Sequence, residues 1–289
     1  MKETVKMLLI LFILAFALIG MVFTFVFFGM QYEVFNVPGS IIERNASFGL
    51  VPTTSKAIAE PQSNGCKPPL SQTAPCDWTE TVQWEVVKGG LQKDAAIINR
   101  VAEETGVDAR MIVASVIPEQ TRFFTDNRES FKRYFEPLKL LVTLSKFSLG
   151  VSGIKQETGA AIEKHANDTS SPFYPGPSYA PLIAYPNGVD GNQELFNRLT
   201  NEKDHYYSYL YTAIYLKEIE TQWQNAGYVV SKRPDVLVTL FNLGFNASEP
   251  KENPQVAGAR ITVGGQGYSF GYLGTLFYNS NELIDVFPK

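Results

Sequence analysis

The first feature of the hydrophobic pattern is an apolar run. From Met7 to Met30 no charged residue occurs, and Leu, Ile, Phe, Val and Met dominate. As a helix the run reaches roughly 35 Å, long enough to cross a bilayer with some tilt. A secretory signal has a shorter apolar core of about 7–15 residues. The one small-residue triplet of cleavage type, Ala15-Phe16-Ala17, lies inside the run. Residues 1–30 are therefore expected to be an uncleaved single-pass anchor. Lys2 and Lys6 precede the run and Arg44 is the first positive residue after it. That asymmetry places the amino terminus in the cytoplasm and the main domain in the periplasm or outside the cell.

Residues 31–83 show no sustained period and are rich in Pro, Ser, Thr and Gly, which predicts a stalk. Near its end stand Cys66 and Cys76. In an oxidising compartment a disulfide is the natural reading, two free buried thiols being the alternative. The closed ring would stabilise by about 2–3 kcal/mol on the loop-entropy model. Two thiolates alone do not complete a tetrahedral metal shell, and neither His165 nor His205 has a second ligand at suitable spacing. No metal and no cofactor are implied.

A helical period begins near Trp84. Ala95, Ile98, Val101 and Ala102 share a face, with Gly106 as a stop. Asp108 suits the cap of a helix over 109–117, which Pro118 is expected to kink or end. Further helices are predicted over 128–147, over about 156–166, as one or two over 192–226, and from Pro234 to Leu243 with Gly244 as the stop. Ser170–Gly191, with five prolines, reads as a long loop. In the less regular tail, Arg260–Val263 and Gly267–Phe270 flank Gly264-Gly265 as a small hairpin. Residues 84–289 thus read as one mainly α domain with a C-terminal β-hairpin. The net charge of −4 and the absence of Lys/Arg runs exclude a nucleic-acid partner from first consideration.

Four segments carry candidate chemistry, the third in order being the Tyr-rich stretch that ends Tyr215-Leu216-Lys217-Glu218-Ile219. Glu119 follows an apolar helix and sits among Ile117, Phe123 and Phe124. Desolvation there favours the protonated form and suits a general acid, as in the buried glutamic acid of lysozyme. Gly150-Val-Ser152-Gly153-Ile-Lys-Gln156 is a glycine-punctuated turn that lets backbone approach a ligand, with Gln156 as amide donor and acceptor. Phe241-Asn242-Leu243-Gly244 ends a helix.

In this order the segments resemble the lysozyme-like lytic transglycosylases, the peptidoglycan-cleaving family related to goose-type lysozyme. The family pattern is Glu-Ser before an aromatic, a Gly-Ala-x-Gly-Leu-Met-Gln turn, then Tyr-Asn-Ala-Gly; Glu103–Asp108 is similar to its lead-in. The likeness spans roughly residues 94–246 and implies a lysozyme-like helical fold. It also implies that Glu119 protonates the bond between N-acetylmuramic acid and N-acetylglucosamine. The same carboxylate then takes the proton of the muramyl 6-hydroxyl, leaving a 1,6-anhydro end. A single carboxyl group suffices for this, unlike the pair of ordinary glycosidases. Gly150, Ser152, Gly153, Gln156, Phe241 and Asn242 would contact glycan strands. An envelope complex is the other expected class of partner. This chain has Gln120 for the family's serine, Lys155 for methionine, Phe241 for tyrosine, and Pro118 before the acid. These differences frame an alternative expectation: a catalytically weak or inactive relative that binds glycan or scaffolds an envelope assembly.

Overall fold

The computed structural model describes residues 65–67, 74–123 and 148–289, together with isolated positions in the amino-terminal run. The helix expected over 128–147 lies outside the described residues, as do most of residues 7–30. Among the described residues no helix is long and apolar enough to cross a membrane. The anchor over 1–30 therefore rests on the hydrophobic pattern alone.

The described chain is mainly helical. A 3-10 turn, Trp78–Glu80, leads into α1 (Val82–Lys93), and Thr81 accepts a bond from the Trp84 amide at 3.2 Å. α2 (Ala95–Thr105) ends at Gly106, whose φ of +67° is a left-handed conformation that glycine adopts without penalty. α3 (Ala109–Phe123) starts under Asp108, which accepts from the Arg110 amide at 2.8 Å. Every side chain from Met111 to Ile117 is buried. Of the kink or end expected at Pro118, the end does not occur: α3 continues to Phe123 with Pro118 inside it.

A two-residue hairpin follows, β1 (Ser148–Leu149) against β2 (Ile154–Lys155), leading directly into α4 (Gln156–Asn167). The proline-rich stretch is irregular apart from the short α5 (Ala180–Ile183). Residues 192–226 resolve into two helices: α6 (Gly191–Leu199), capped by Asp190, and α7 (Tyr206–Asn225). α7 buries nearly all of its circumference from Ser208 to Leu216. It is the central helix, packed by α2, α4, α3 and α8 (Pro234–Leu243). The pair β3 (Arg260–Val263) and β4 (Gln266–Ser269) closes through Gly264-Gly265, both at positive φ, as a two-residue turn of this hand requires. α9 (Phe270–Asn279), absent from the sequence reading, packs against α8 and α3.

The described end of the stalk packs on the helical domain. The Cys66–Cys76 disulfide is formed. Lys67 N–H donates to the Glu80 carbonyl, and Cys76 N–H to Gly264 in the β3–β4 turn. Trp78 and Trp84 are both buried, with ring centroids 4.8 Å apart.

Candidate active site

Glu119 lies one turn before the carboxyl end of α3 and is 9% exposed. The β1–β2 turn sits directly against it. A Cβ on Gly153 would lie 2.3 Å from the Glu119 carboxyl carbon, and its φ is +64°. Only glycine satisfies both demands, so Gly153 fixes how closely the turn covers the acid. Beside it, the buried Gln120 side chain donates to the Val151 carbonyl and ties the turn to α3.

The other residues of the turn face the protein. A Cβ on Gly150 would lie 2.0 Å from the Leu199 carbonyl oxygen. The Ser152 hydroxyl, 1% exposed, donates to the Ser208 carbonyl at 3.0 Å. Gly150 and Ser152 thus dock the turn on the start of α7, while Gly153 addresses Glu119. Gln156, first residue of α4, donates to the Asn192 carbonyl at 2.9 Å.

Asn242 and Phe241 come from the end of α8. The Asn242 Oδ1 accepts from the Ala259 amide at 2.8 Å, leaving its half-buried NH₂ without a partner among the described residues. Phe241 stacks toward Phe270 and lies 5.4 Å from the Tyr215 ring. The buried Tyr215 hydroxyl has no hydrogen-bond partner among the described residues, and burial together with Glu218 raises its pKa.

Two further charged residues belong to this region. Arg122, three residues after Glu119, donates from Nη2 to Glu119 Oε1 at 2.8 Å, with both side chains largely buried. The pair ties one oxygen of the candidate acid to its own helix. The i,i+3 spacing was the available signal. Glu218 on α7 is fully buried and neither carboxyl oxygen has a partner among the described residues. Desolvation lifts its pKa well above the usual carboxylate range. Its segment, Tyr215–Ile219, is one of the four the sequence singles out, but the spacing gives no sign that the carboxyl group is buried.

Among the described residues no three His, Cys, Asp or Glu side chains are grouped to hold a metal ion. His165 instead packs between Phe173 and Phe245 and pairs Nδ1 with the Ser171 hydroxyl at 2.8 Å. No protein-family model matches this chain, and no curated protein or solved structure matches it.

Proposed function

We propose that the chain is a membrane-anchored peptidoglycan lytic transglycosylase of the lysozyme-like type, with Glu119 as its single acid/base. The observation that carries this reading is the contact between Gly153 and the Glu119 carboxyl group. A helix-borne, nearly buried glutamic acid lies directly against a glycine turn, the juxtaposition that the resemblance leads one to look for. In the mechanism, Glu119 donates its proton to the glycosidic oxygen as the bond to the anomeric carbon breaks. The muramyl 6-hydroxyl oxygen closes on that carbon, and its proton returns to Glu119. No water is consumed. Asn242 would hold a sugar group through its NH₂, and Gly150 and Ser152 would keep the turn seated. The anchor over residues 7–30 and the position outside the cytoplasm belong to this proposal. The disulfide supports that position, because such bonds persist in oxidising compartments.

The Arg122–Glu119 pair favours a second reading, a relative that holds glycan strands or scaffolds an envelope assembly without cleaving them. Digestion of purified peptidoglycan by the full chain, wild type beside Glu119→Gln, separates the two. Anhydro-muropeptides in the mass spectrum from wild type alone establish the lyase and its acid. Reducing ends from wild type alone replace it with hydrolysis. No product from folded protein leaves the binding role.

A further inference from the structure

The β1–β2 hairpin joins only two residue pairs, Ser148 with Lys155 and Leu149 with Ile154. A hairpin so short is marginal on its own, so the place of its turn is set by whatever grips it. Gly150 and Gly153 both take positive φ, and the Gly153 amide donates back to the Gly150 carbonyl at 3.4 Å. The two residues between them, Val151 and Ser152, are buried. Three helices hold them there. From α3, Gln120 donates its amide to the Val151 carbonyl. On α7, the Ser208 carbonyl accepts the Ser152 hydroxyl, while the Ser208 hydroxyl donates at 3.2 Å to the carbonyl of Leu199, the last residue of α6. Gly150 lies against that same Leu199 carbonyl.

Gln120 is 0% and Ser152 1% exposed, so neither side chain is open to a ligand. What they hold is the pair of residues directly before Gly153, and Gly153 lies against the Glu119 carboxyl group. We propose that Gln120 and Ser152 are positioning residues for Glu119, acting through the Gly153 backbone. Gln120 is the acid's neighbour on α3, so its bond sets the turn against the helix that carries Glu119. Ser152 sets the same turn against α7. With either bond gone the turn pivots on the other, and the acid loses the surface that fixes its side chain. Supporting contacts of this kind matter because a small misplacement of a reacting group costs rate steeply. The inference rests on the proposed function for its effect on cleavage and on the two hydrogen bonds for its effect on the acid.

The test uses the full chain in detergent micelles, isotope-labelled at Gly and Glu. It reads the nuclear Overhauser effect between the Gly153 Hα and Glu119 Hγ protons, which the wild type should show. Gln120→Met keeps length without a donor, and Ser152→Ala removes only the hydroxyl. Each is expected to weaken the effect by about threefold or more. On purified peptidoglycan each should lower kcat by about tenfold and leave KM unchanged, because neither residue touches glycan. The anchors lie on different helices, so either variant decides the matter if the other fails to fold. Absence of the effect in wild type, its full retention in a folded variant, or a raised KM at unchanged kcat would overturn the inference. A weakened effect in a chain that cleaves nothing would support the positioning role and discard the lyase.

Discussion

At the scale of single residues, Arg122 bears on the proposed site and Glu218 on stability. Arg122 Nη2 holds Glu119 Oε1 at 2.8 Å. On the proposed reading Arg122→Gln is expected to lower the rate of peptidoglycan cleavage by about tenfold through lost positioning of the acid. An unchanged rate would remove Arg122 from the site. Glu218 concerns stability. Its folded pKa is raised, whereas the unfolded chain titrates near about 4.3. Between those values the folded state holds a proton that the unfolded state has released. Stability therefore falls as pH rises through that window. Glu218→Met fills similar volume without orphaned oxygens. It is expected to raise the melting temperature at neutral pH, by about 1–3 kcal/mol in stability. The gap to wild type should shrink toward pH 4. A gap constant with pH would contradict the assignment.

At the scale of elements, α3 and α9 explain each other. Pro118 cannot donate to the Ala114 carbonyl, which ordinarily breaks a helix. Here a Cβ on Gly274 of α9 would lie 2.5 Å from that same carbonyl oxygen, so α9 lies directly against the gap in the ladder. Packing around the gap overrides the local cost. Gly274→Ala improves helix propensity, yet it is expected to destabilise by about 1–3 kcal/mol in denaturant unfolding, because backbone cannot yield to the methyl group. The same pair marks the limit of legibility. Amphipathic helices with ordinary caps, such as α2 with Gly106 and α8 with Pro234 and Gly244, follow from their own residues. The disulfide and the Gly-Gly hairpin do too. α9 does not, because Gly271 and Gly274 lower its propensity for a reason that lies in α8 and α3, far off in sequence. Of the candidate site, the motif order singles out Glu119 and the Gly150–Gly153 turn, whereas their contact at Gly153 is a matter of packing. The inward turn of Ser152 and the bond from Gln156 to Asn192 depend on where α6 and α7 pack.

At the scale of the whole molecule, Arg110 closes the chain's far end onto its centre. Its buried guanidinium donates to the carbonyls of Phe277, Tyr278, Ser280, Glu282 and Phe287, all within 2.8–3.0 Å. Arg110→Met leaves five acceptors without that donor. It is expected to cost at least about 3 kcal/mol and to speed amide exchange selectively over 277–287. Uniform acceleration across the domain would show that the tail is not a separate unit. Glu282 adds a second tie, accepting from Trp84 Nε1 at 3.1 Å and Lys88 Nζ at 2.8 Å. α1 and the carboxyl-terminal tail therefore share one seam, remote in sequence from Glu119.

The disulfide ring has a mechanical consequence. A pull from the amino-terminal side enters the described domain at Gly65, whose carbonyl accepts from Val82, next to Lys67 bonded to Glu80. Tension on a tethered protein would load those bonds and the covalent ring first, then the Gly264 turn that receives Cys76. Glu119 and Asn242 stand on α3 and α8 and Gly153 on the β1–β2 turn, none of them among the bonds loaded first. On the proposed reading, tension from the tether reaches these bonds before it reaches the residues assigned to cleavage.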